Sequence, residues 1–543
     1  MINFDSLVLK LFKEENESLF LGGKIQKIQQ PSRSELLFLI RNLGQTRKFY
    51  VNFNPIFYHL CFINEESEKL RNFVIPKTAP MFCMLLRKYI MNAKILRVEV
   101  PKNERIFEIY FEYFDELNEK AILCLAIELM GKYSNVILYN YDTNVIIGCA
   151  HNVSSEKSRE RELYGLLPYI YPPKQKKKDI LRVSFDSFDK EITGENFVQE
   201  IVQKYNYLTV SSVKQLFMEN TNLSKQDMYL KIRDYLSEEK YSPCISEDYS
   251  QYSLIKLPNS VEVATINEMT DKYFSYHQTV AKKEHLKNKI FSIAQKQLKK
   301  LNTLKEKQLE QINKLDKAIE YKNKADIVMA NLYYIKQGEK CAAVFDFEGN
   351  TIKIDLDENL SPSDNANRYY NLYKKAKSAN EHATNLIKET TSQILYYEEI
   401  IFFAQNTDNY DDLQELLNEI NLEKVSEKEK PERVEFIEYK GFKIYTGKNK
   451  RQNDYILSKI ASSEDLWFHP LNSAGAHILV KVNGAKEEVP DEVLLKAAEI
   501  TKEFSSQKDN SKTSIIYTKR KYVKKANNKL AFVTYKNETE IVL

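Results

Sequence analysis

The single tryptophan of this 543-residue chain lies within ten residues of two of its seven histidines, as Trp467, His469 and His477. Imidazoles at such a density could bind a metal or act as a catalytic base. A metal site needs further ligands at short spacing, and no third ligand follows here. No Gly-x-Ser-x-Gly motif occurs, and no cysteine lies near Trp467. The cluster therefore predicts a packed, hydrogen-bonded core element, with no metal and no catalytic residue.

Other chemistries are excluded by what the chain lacks. It has no glycine-rich loop of the Walker or dinucleotide-binding type, so we expect no nucleotide hydrolysis and no cofactor. The six cysteines are isolated from one another, which predicts reduced thiols and no disulfide framework. They are Cys61, Cys83, Cys124, Cys149, Cys244 and Cys341.

Overall charge says little about partners, because 80 basic residues face 76 acidic ones for a net charge of +4. The distribution is more informative. Between Lys282 and Lys324 there are thirteen lysines and five acidic residues, a net charge of +8. A solvated helix usually mixes signs, so this excess indicates contact with RNA phosphates, while a merely solvated surface stays open as the alternative. The candidate contact residues are Lys287, Lys289, Lys296, Lys299, Lys300, Lys305 and Lys307.

A second basic run lies near the C-terminus, where six basic residues between Lys519 and Lys529 alternate with Tyr517 and Tyr522. Lysines neutralise phosphates and aromatic rings stack on unpaired bases, so this run is a second candidate RNA contact. A strand edge protected by lysine is the alternative.

The elements that position these residues form a multidomain chain, since 543 residues exceed a single core. Alternating apolar residues predict a mixed α/β domain over 1–174, with a helix after Pro80. Residues 175–270 read as a polar helical domain. Residues 435–543 read as a second α/β domain, with a helix from Asp491 to Ser506.

Between the two lies a predicted antiparallel helical arm, residues 271–434. Apolar residues spaced three or four apart from Leu286 predict a long coiled-coil helix, which no proline or glycine interrupts before Gly338. A β-hairpin turning at Gly349 forms a small insertion at about 340–357. Ser361 and Pro362 then restart a helix as N-cap and first residue, running to about Phe403. Residues 407–434 read as an acidic connector.

Several segments together resemble the NFACT family. They are Gly22–Pro31, Pro80–Lys88, Glu128–Asn135, Tyr169–Pro173, Thr446–Tyr455, Asp465–His469, Gly475–His477 and Tyr522–Lys525. The resemblance implies an N-terminal domain folded like that of the Fpg-type DNA glycosylases, a helix-hairpin-helix-like second domain, and a C-terminal NFACT-R RNA-binding domain. The glycosylases use an N-terminal proline as nucleophile, and Ile2 stands here, so base excision is not expected.

The resemblance also implies site residues. Glu104 and Arg105 match the Asp-Arg pair that the family uses for tRNA, with glutamate replacing aspartate. Glu128, Leu129 and Met130 complete the implied tRNA site. In the NFACT-R domain the implied RNA-binding residues are Lys448, Asn449, Asn453, Asp465, Trp467, His469, His477, Lys521, Lys524 and Lys525. This domain departs from the family at Ala476 and in residues 526–531.

The implied function is ribosome-associated quality control. Such a factor binds large (50S) ribosomal subunits that carry peptidyl-tRNA, contacts rRNA, recruits tRNA-Ala and supports template-free alanine tailing, with a small S4-type RNA-binding protein as a further partner. The alternatives are a family member that binds ribosomes or tRNA without tailing, and a fibronectin-binding adhesin. No run approaches about 18 consecutive apolar residues, and residues 1–5 lack a secretory signal, so we expect a cytoplasmic protein without membrane contact.

Overall fold

The structure is a computed structural model that describes residues 4–114, 118–156, 158–174, 176–194, 196–218, 223–237, 241–314, 317–421, 434–482, 489–525 and 533–543. Two units divide the chain, Met1–Ala281 and Lys282–Leu543. Among the described residues, no helix combines the length and the apolar character needed to cross a bilayer.

The first unit opens with a helix and a four-stranded antiparallel sheet in the order β1-β2-β3-β4. Asp5 caps the helix, because its carboxylate accepts the backbone N–H of Val8 at 2.9 Å. The elements are α1 Ser6–Phe20, β1 Lys24–Gln29, β2 Glu35–Asn42, β3 Gln45–Asn52, β4 His59–Ile63, α2 Glu65–Arg71 and α3 Met81–Ile90. The predicted mixed α/β character and the helix after Pro80 are confirmed.

A second antiparallel sheet follows, with five strands in sequence order. Its strands are β5 Ile95–Glu99, β6 Ile106–Phe114, β7 Lys120–Glu128, β8 Asn135–Asn140 and β9 Val145–Cys149. Phe20 of α1, Phe49 of β3 and Phe107 of β6 pack with ring centroids 5.0 to 6.1 Å apart. This aromatic cluster joins α1 and both sheets in one buried core.

Residues 175–270 were predicted to form a polar helical domain, and the structure adds strands in the second half of this region. Four helices are followed by a small three-stranded sheet of order β11-β10-β12. Strands of two or three residues are too short to show an alternating pattern, which explains why they were not predicted. The elements are α4 Phe185–Glu191, α5 Phe197–Lys204, α6 Val210–Phe217, α7 Lys225–Ser237, β10 Cys244–Ser246, β11 Tyr252–Ser253 and β12 Ser260–Glu262. The connection between α6 and α7 includes residues 219–222, which lie outside the described residues.

The predicted long helix is present, with different ends. It begins as α8 Ile266–Lys314, resumes as α9 Lys317–Ala330, and its residues 315–316 lie outside the described part of the chain. It ends eight residues before Gly338, because the side chain of Asn331 donates to the carbonyl oxygens of Ile327 and Phe345, both at 2.9 Å. The first turns of α8 are fixed by a buried ion pair between Arg71 and Asp271 at 2.6 Å.

The hairpin and the returning helix are confirmed as β13 Cys341–Phe345, β14 Thr351–Asp355 and α10 Pro362–Asn406. Ser361 is the N-cap of α10 and accepts the N–H of Asp364 at 3.1 Å. The predicted acidic connector is wrong in part, since residues Tyr410–Ile420 form helix α11. Its buried leucines pack into the core of the second unit, which compensates for its acidic surface.

A six-stranded antiparallel sheet of order β15-β16-β18-β17-β19-β22 dominates the rest of the second unit. The elements are β15 Glu435–Tyr439, β16 Phe442–Thr446, α12 Lys450–Tyr455, β17 Leu466–Pro470, β18 Ile478–Lys481, α13 Asp491–Glu503, β19 Ser514–Lys519, β20 Lys524–Lys525, β21 Val533–Thr534 and β22 Thr539–Val542. Helix α13 confirms the helix predicted from Asp491, although it ends at Glu503 and not at Ser506.

Candidate RNA-binding sites

A cavity of about 740 Å³ lies within the first unit. Three of the five residues predicted to bind tRNA line it, namely Glu104, Arg105 and Met130. The beginnings of α1 and α6 form another part of its wall, and Lys177 and Lys214 also line it. The cavity therefore collects charged side chains from segments that are far apart in the sequence.

Arg105 is held in this cavity by both its backbone and its side chain. Its carbonyl oxygen accepts the N–H of Leu129 at 2.8 Å, beside the β6–β7 pairing. Its guanidinium Nη1 donates to the hydroxyl of Tyr58 at 3.2 Å and lies 5.7 Å from the centre of that ring. Burial raises the pKa of Tyr58, while the charge of Arg105 opposes the shift. Tyr58 thus stays neutral and can accept this hydrogen bond.

Glu104 does not hold the guanidinium of Arg105, its neighbour in the sequence. No ion pair joins Glu104 and Arg105 in the described structure, and the hydrogen bond of Arg105 goes to Tyr58 instead. Partial burial raises the pKa of Glu104, although Lys174 and Arg105 act against this shift. Glu104 lines the cavity as a separate acidic residue.

Glu128 and Leu129 lie in the interior, so neither can touch RNA in this structure, contrary to prediction. Both side chains have 0% exposure. The carboxylate of Glu128 accepts Nη1 of Arg161 at 2.8 Å, a second bond from Nη2 of the same residue, and the hydroxyl of Tyr169 at 2.9 Å. A buried carboxylate needs such partners, so Glu128 anchors the C-terminal end of the central strand β7, near the cavity-lining Met130. Met130 is partly exposed and lines the cavity.

Asp5 is a site residue that the sequence analysis missed. Its burial raises its pKa to about 6, while backbone N–H groups and Arg105 oppose the shift. The only sequence signal was its position one residue before a helix, which is typical of an N-cap and gives no hint of a cavity.

The arm lysines fall into two groups in the structure. Four exposed ones share one face of α8, because spacings of seven, four and seven residues return to the same side of a helix. They are Lys289, Lys296, Lys300 and Lys307, and we call them the basic stripe, which extends over roughly 27 Å at about 1.5 Å per residue. Lys299 is exposed beside this stripe. Lys287 and Lys305 are half-buried, and Lys287 pairs with Asp408 at 3.4 Å.

The tryptophan–histidine cluster is an interior element of the second unit. Trp467 has 0% exposure, its ring stacks on His469 with centroids 5.6 Å apart, and His477 meets it edge-on at 5.3 Å. Nδ1 of His469 donates to the carbonyl oxygen of Pro470 at 2.9 Å, and Nε2 lies 3.8 Å from Glu399. The predicted core role is therefore confirmed, whereas a direct RNA contact by Trp467 or His477 does not fit their burial.

Three other predicted RNA-binding residues are also buried. Asp465 accepts the N–H of Val482 at 2.8 Å and the ammonium of Lys481 at 2.9 Å. Asn449 is the N-cap of α12, and Asn453 accepts the N–H of His477 at 3.2 Å. These contacts fix the sheet and α12, so the three residues have structural roles here.

The remaining predicted residues are lysines at the surface, and most of them form ion pairs. Lys448 pairs with Glu435 at 2.7 Å and Lys525 with Asp454 at 2.5 Å. Glu464 binds both Lys519 at 2.8 Å and Lys521 at 2.9 Å, and these bonds lower its pKa to about 2. Lys524 is exposed and has no carboxylate within 4.0 Å among the described residues.

Within the described ranges, no three His, Cys, Asp or Glu side chains are grouped closely enough to hold a metal ion. The geometry instead offers cationic surfaces and one charged cavity, which can bind phosphate groups.

Comparisons with known proteins agree with this chemistry. A family profile described as "NFACT N-terminal and middle domains" matches residues 5–435, and one described as "NFACT protein RNA binding domain" matches residues 433–534. The chain is 27% identical to the "Rqc2 homolog RqcH" of Bacillus subtilis (strain 168) over 570 residues, which cover 99% of this chain and 97% of that protein. The homologue of the same name from Streptococcus suis (strain 05ZYH33) is 26% identical over 549 residues, with 99% and 97% covered.

Among solved structures, the N-terminal part of the fibronectin/fibrinogen-binding protein of Streptococcus suis is 25% identical, with a TM-score of 0.43. The match covers 50% of this chain and all of that one.

Proposed function

The chain belongs to the NFACT family, as the resemblance in its sequence indicated, and we propose on this premise that it acts in ribosome-associated quality control. It binds large ribosomal subunits obstructed by peptidyl-tRNA, recruits tRNA-Ala and supports template-free addition of a C-terminal alanine tail. Two relatives matched over almost their whole length are named Rqc2 homologues, which supports this proposal.

The observation that carries the tRNA part is the placement of Arg105. Arg105 lines a cavity of about 740 Å³, and its guanidinium is oriented by Tyr58. A guanidinium presents several N–H donors in a planar fork that suits a phosphate or a base edge, and lysine cannot reproduce this geometry. A cavity of this size can accept part of an RNA chain.

The ribosome part rests on the basic stripe of α8 and on Lys524 in the RNA-binding domain. These lysines are exposed and available to phosphates. The peptidyl transfer belongs to the ribosome in this proposal, so the chain itself needs no catalytic residue and no cofactor. The proposed partners are rRNA, tRNA-Ala and a small S4-type RNA-binding protein, in the cytoplasm.

The proposal extends to the domain organisation. In this proposal the chain comprises an Fpg-like NFACT-N domain (1–174), a helix-hairpin-helix-like domain (175–270), a coiled-coil arm (271–434) and an NFACT-R domain (435–543). The aromatic core around Phe20 and the pairing of α9 with α10 support the first and third of these parts.

Substitutions at Arg105 test the function. Arg105→Lys keeps the charge and is expected to keep non-specific RNA affinity while losing tRNA selection, and Arg105→Ala is expected to lose both. Glu104→Asp restores the family residue and is expected to be tolerated. The measurements are alanine addition to a stalled reporter and sequencing of the tRNA that co-purifies with the full-length protein.

Large-subunit co-sedimentation provides the control. If the wild type binds large subunits but recovers no tRNA and adds no alanine, tailing is excluded and a ribosome-binding role without tailing replaces it. If the wild type does not bind large subunits, the quality-control proposal fails as a whole.

A further inference from the structure

The basic residues of the first unit differ in whether they have acidic partners. Lys102 pairs with Asp179 at 3.1 Å, Lys178 with Glu191 at 2.5 Å, and Lys225 with Asp189 at 2.9 Å. By contrast, Arg105, Lys177 and Lys214 line the cavity, and none has a carboxylate within 4.0 Å among the described residues.

These three cations reach the cavity from separate parts of the chain. Arg105 precedes β6, Lys177 follows the segment Tyr171–Pro173, and Lys214 lies on α6. Tertiary packing, and not the local structure of any one segment, therefore brings these three cations to the same cavity. Burial lowers the pKa of Lys177, and the nearby charge of Arg105 lowers it further. The crowding of like charges is therefore a cost in the free protein, and a bound anion would remove it.

The acidic residues of the cavity offset this charge only in part. Asp5 and Glu104 also line it, and burial raises the pKa of both. Even with both ionised, three cations face two carboxylates. The hydroxyl-bearing residues Thr209 and Ser211 add polar groups to the same wall.

We propose that Arg105, Lys177 and Lys214 form a seat for one phosphate group of the ligand that enters this cavity. The inference rests on the proposed tRNA function for the identity of that ligand, and it adds Lys177 and Lys214 to the binding residues. Arginine can bind two phosphate oxygens at once, and the two lysines contribute charge from other directions. The phosphate is either a backbone phosphodiester of RNA or the phosphate of a free nucleotide.

The test uses the full-length protein with Lys177→Gln, Lys214→Gln and the double substitution. Lys178→Gln is the matched control, because Lys178 adjoins Lys177 but pairs with Glu191. The probes are a tRNA-Ala transcript, AMP and inorganic phosphate, and each dissociation constant is measured across a salt series. Thermal unfolding of each variant shows that the fold is retained.

We expect each single substitution to weaken tRNA-Ala binding roughly tenfold and to reduce the salt slope by about one. The control is expected to change affinity less than about twofold, as for a surface ion pair. Tight tRNA binding by the folded double variant would overturn the seat while leaving the tRNA function intact.

The other outcomes separate the two proposals. If the wild type binds AMP or phosphate through these lysines but does not bind tRNA-Ala, the seat stands for a nucleotide and the tRNA function fails. If the wild type binds none of the three probes, both proposals fail.

Discussion

Arg105, which lines the cavity of the first unit, donates a hydrogen bond to Tyr58, with the guanidinium Nη1 3.2 Å from the phenol oxygen. The two residues are 47 positions apart, and each directly precedes a strand, Tyr58 before β4 and Arg105 before β6. The aromatic face and the hydroxyl both restrict the guanidinium. The carboxylate of Glu104, the neighbour in sequence, takes no part in this arrangement.

We predict that Tyr58→Phe weakens tRNA binding without unfolding the protein. The ring remains, but the hydroxyl that accepts from Arg105 is lost, and a hydrogen bond to a charged group contributes about 1.5–3 kcal/mol. We expect tRNA affinity to fall roughly tenfold and the melting temperature to stay within a few degrees of wild type. Filter binding and thermal unfolding measure the two effects. Equal affinities of Tyr58→Phe and wild type, alongside a loss for Arg105→Ala, would contradict this role of Tyr58.

Asp5 predicts a pH dependence of stability. Its pKa is raised from 3.8 to about 6 in the folded protein, so the folded state holds the proton more tightly than the unfolded state. Stability from this group is therefore fully present below pH 3.8 and decreases as the pH rises through 6. The difference of about two units corresponds to about 3 kcal/mol.

Asp5→Asn isolates this effect, because asparagine keeps the N-cap acceptor but cannot ionise. We expect Asp5→Asn to gain stability relative to wild type as the pH is raised from 5 to 8. The measurement is the difference in melting temperature between the two proteins at each pH. A difference that is constant across this range would show that Asp5 does not titrate there.

The sequence predicted the regular elements better than the sites. Ser361 predicted a helix start because serine is a favoured N-cap, and Gly349 predicted a hairpin turn because glycine tolerates a positive φ. Both predictions are confirmed. Helix α11 was missed because its acidic surface suggested a connector, although Leu413, Leu416, Leu417 and Ile420 have helical spacing.

The cavity could not be predicted from local sequence patterns, because only tertiary packing brings Asp5 and Lys214 to it. Burial of Glu128 and Asp465 was equally invisible, because a carboxylate in the sequence looks the same whether it faces RNA or an internal partner. Only the partners Arg161 and Lys481 in the folded chain distinguish the two cases.

The basic stripe of α8 predicts a specific electrostatic effect. Replacing Lys289, Lys296, Lys300 and Lys307 by glutamine is expected to weaken large-subunit binding. The slope of log affinity against log salt concentration is expected to become less steep by up to about four, because up to four phosphate contacts are lost. Replacing the same four by arginine keeps the charge and serves as the control. Co-sedimentation with large subunits across a salt series measures both. Identical co-sedimentation curves for the glutamine variant and wild type would show that the basic stripe does not contact the large subunit.

We predict that substitution of Trp467 lowers the stability of the second unit and does not remove a surface contact. Its side chain is fully buried in the second unit, so Trp467→Ala is expected to destabilise that unit by about 3–5 kcal/mol. Tyr522→Ala is the comparison, because Tyr522 is 37% exposed beside the basic run. We expect it to change stability little. A Trp467→Ala protein that melts like wild type but no longer binds RNA would make Trp467 a stacking residue instead.

Glu464 forms ion pairs with two lysines of the second basic run, so we predict that replacing Glu464 strengthens RNA binding. Its carboxylate holds both Lys519 and Lys521, whose ammonium groups are then partly neutralised for any RNA phosphate. Glu464→Gln is expected to raise RNA affinity a few-fold at low salt. The gain is expected to be the same at pH 5 and pH 8, because the pKa of Glu464 is about 2 and the carboxylate is ionised at both.

Glu503→Gln changes the net charge equally at an exposed position on α13 and provides the matched control. Electrophoretic mobility shifts with a single-stranded RNA measure both variants and the wild type at two salt concentrations. If Glu503→Gln raises affinity as much as Glu464→Gln, the effect is one of net charge. A gain confined to Glu464→Gln that disappears at high salt identifies Lys519 and Lys521 as the residues released, since exposed charges are screened by added ions.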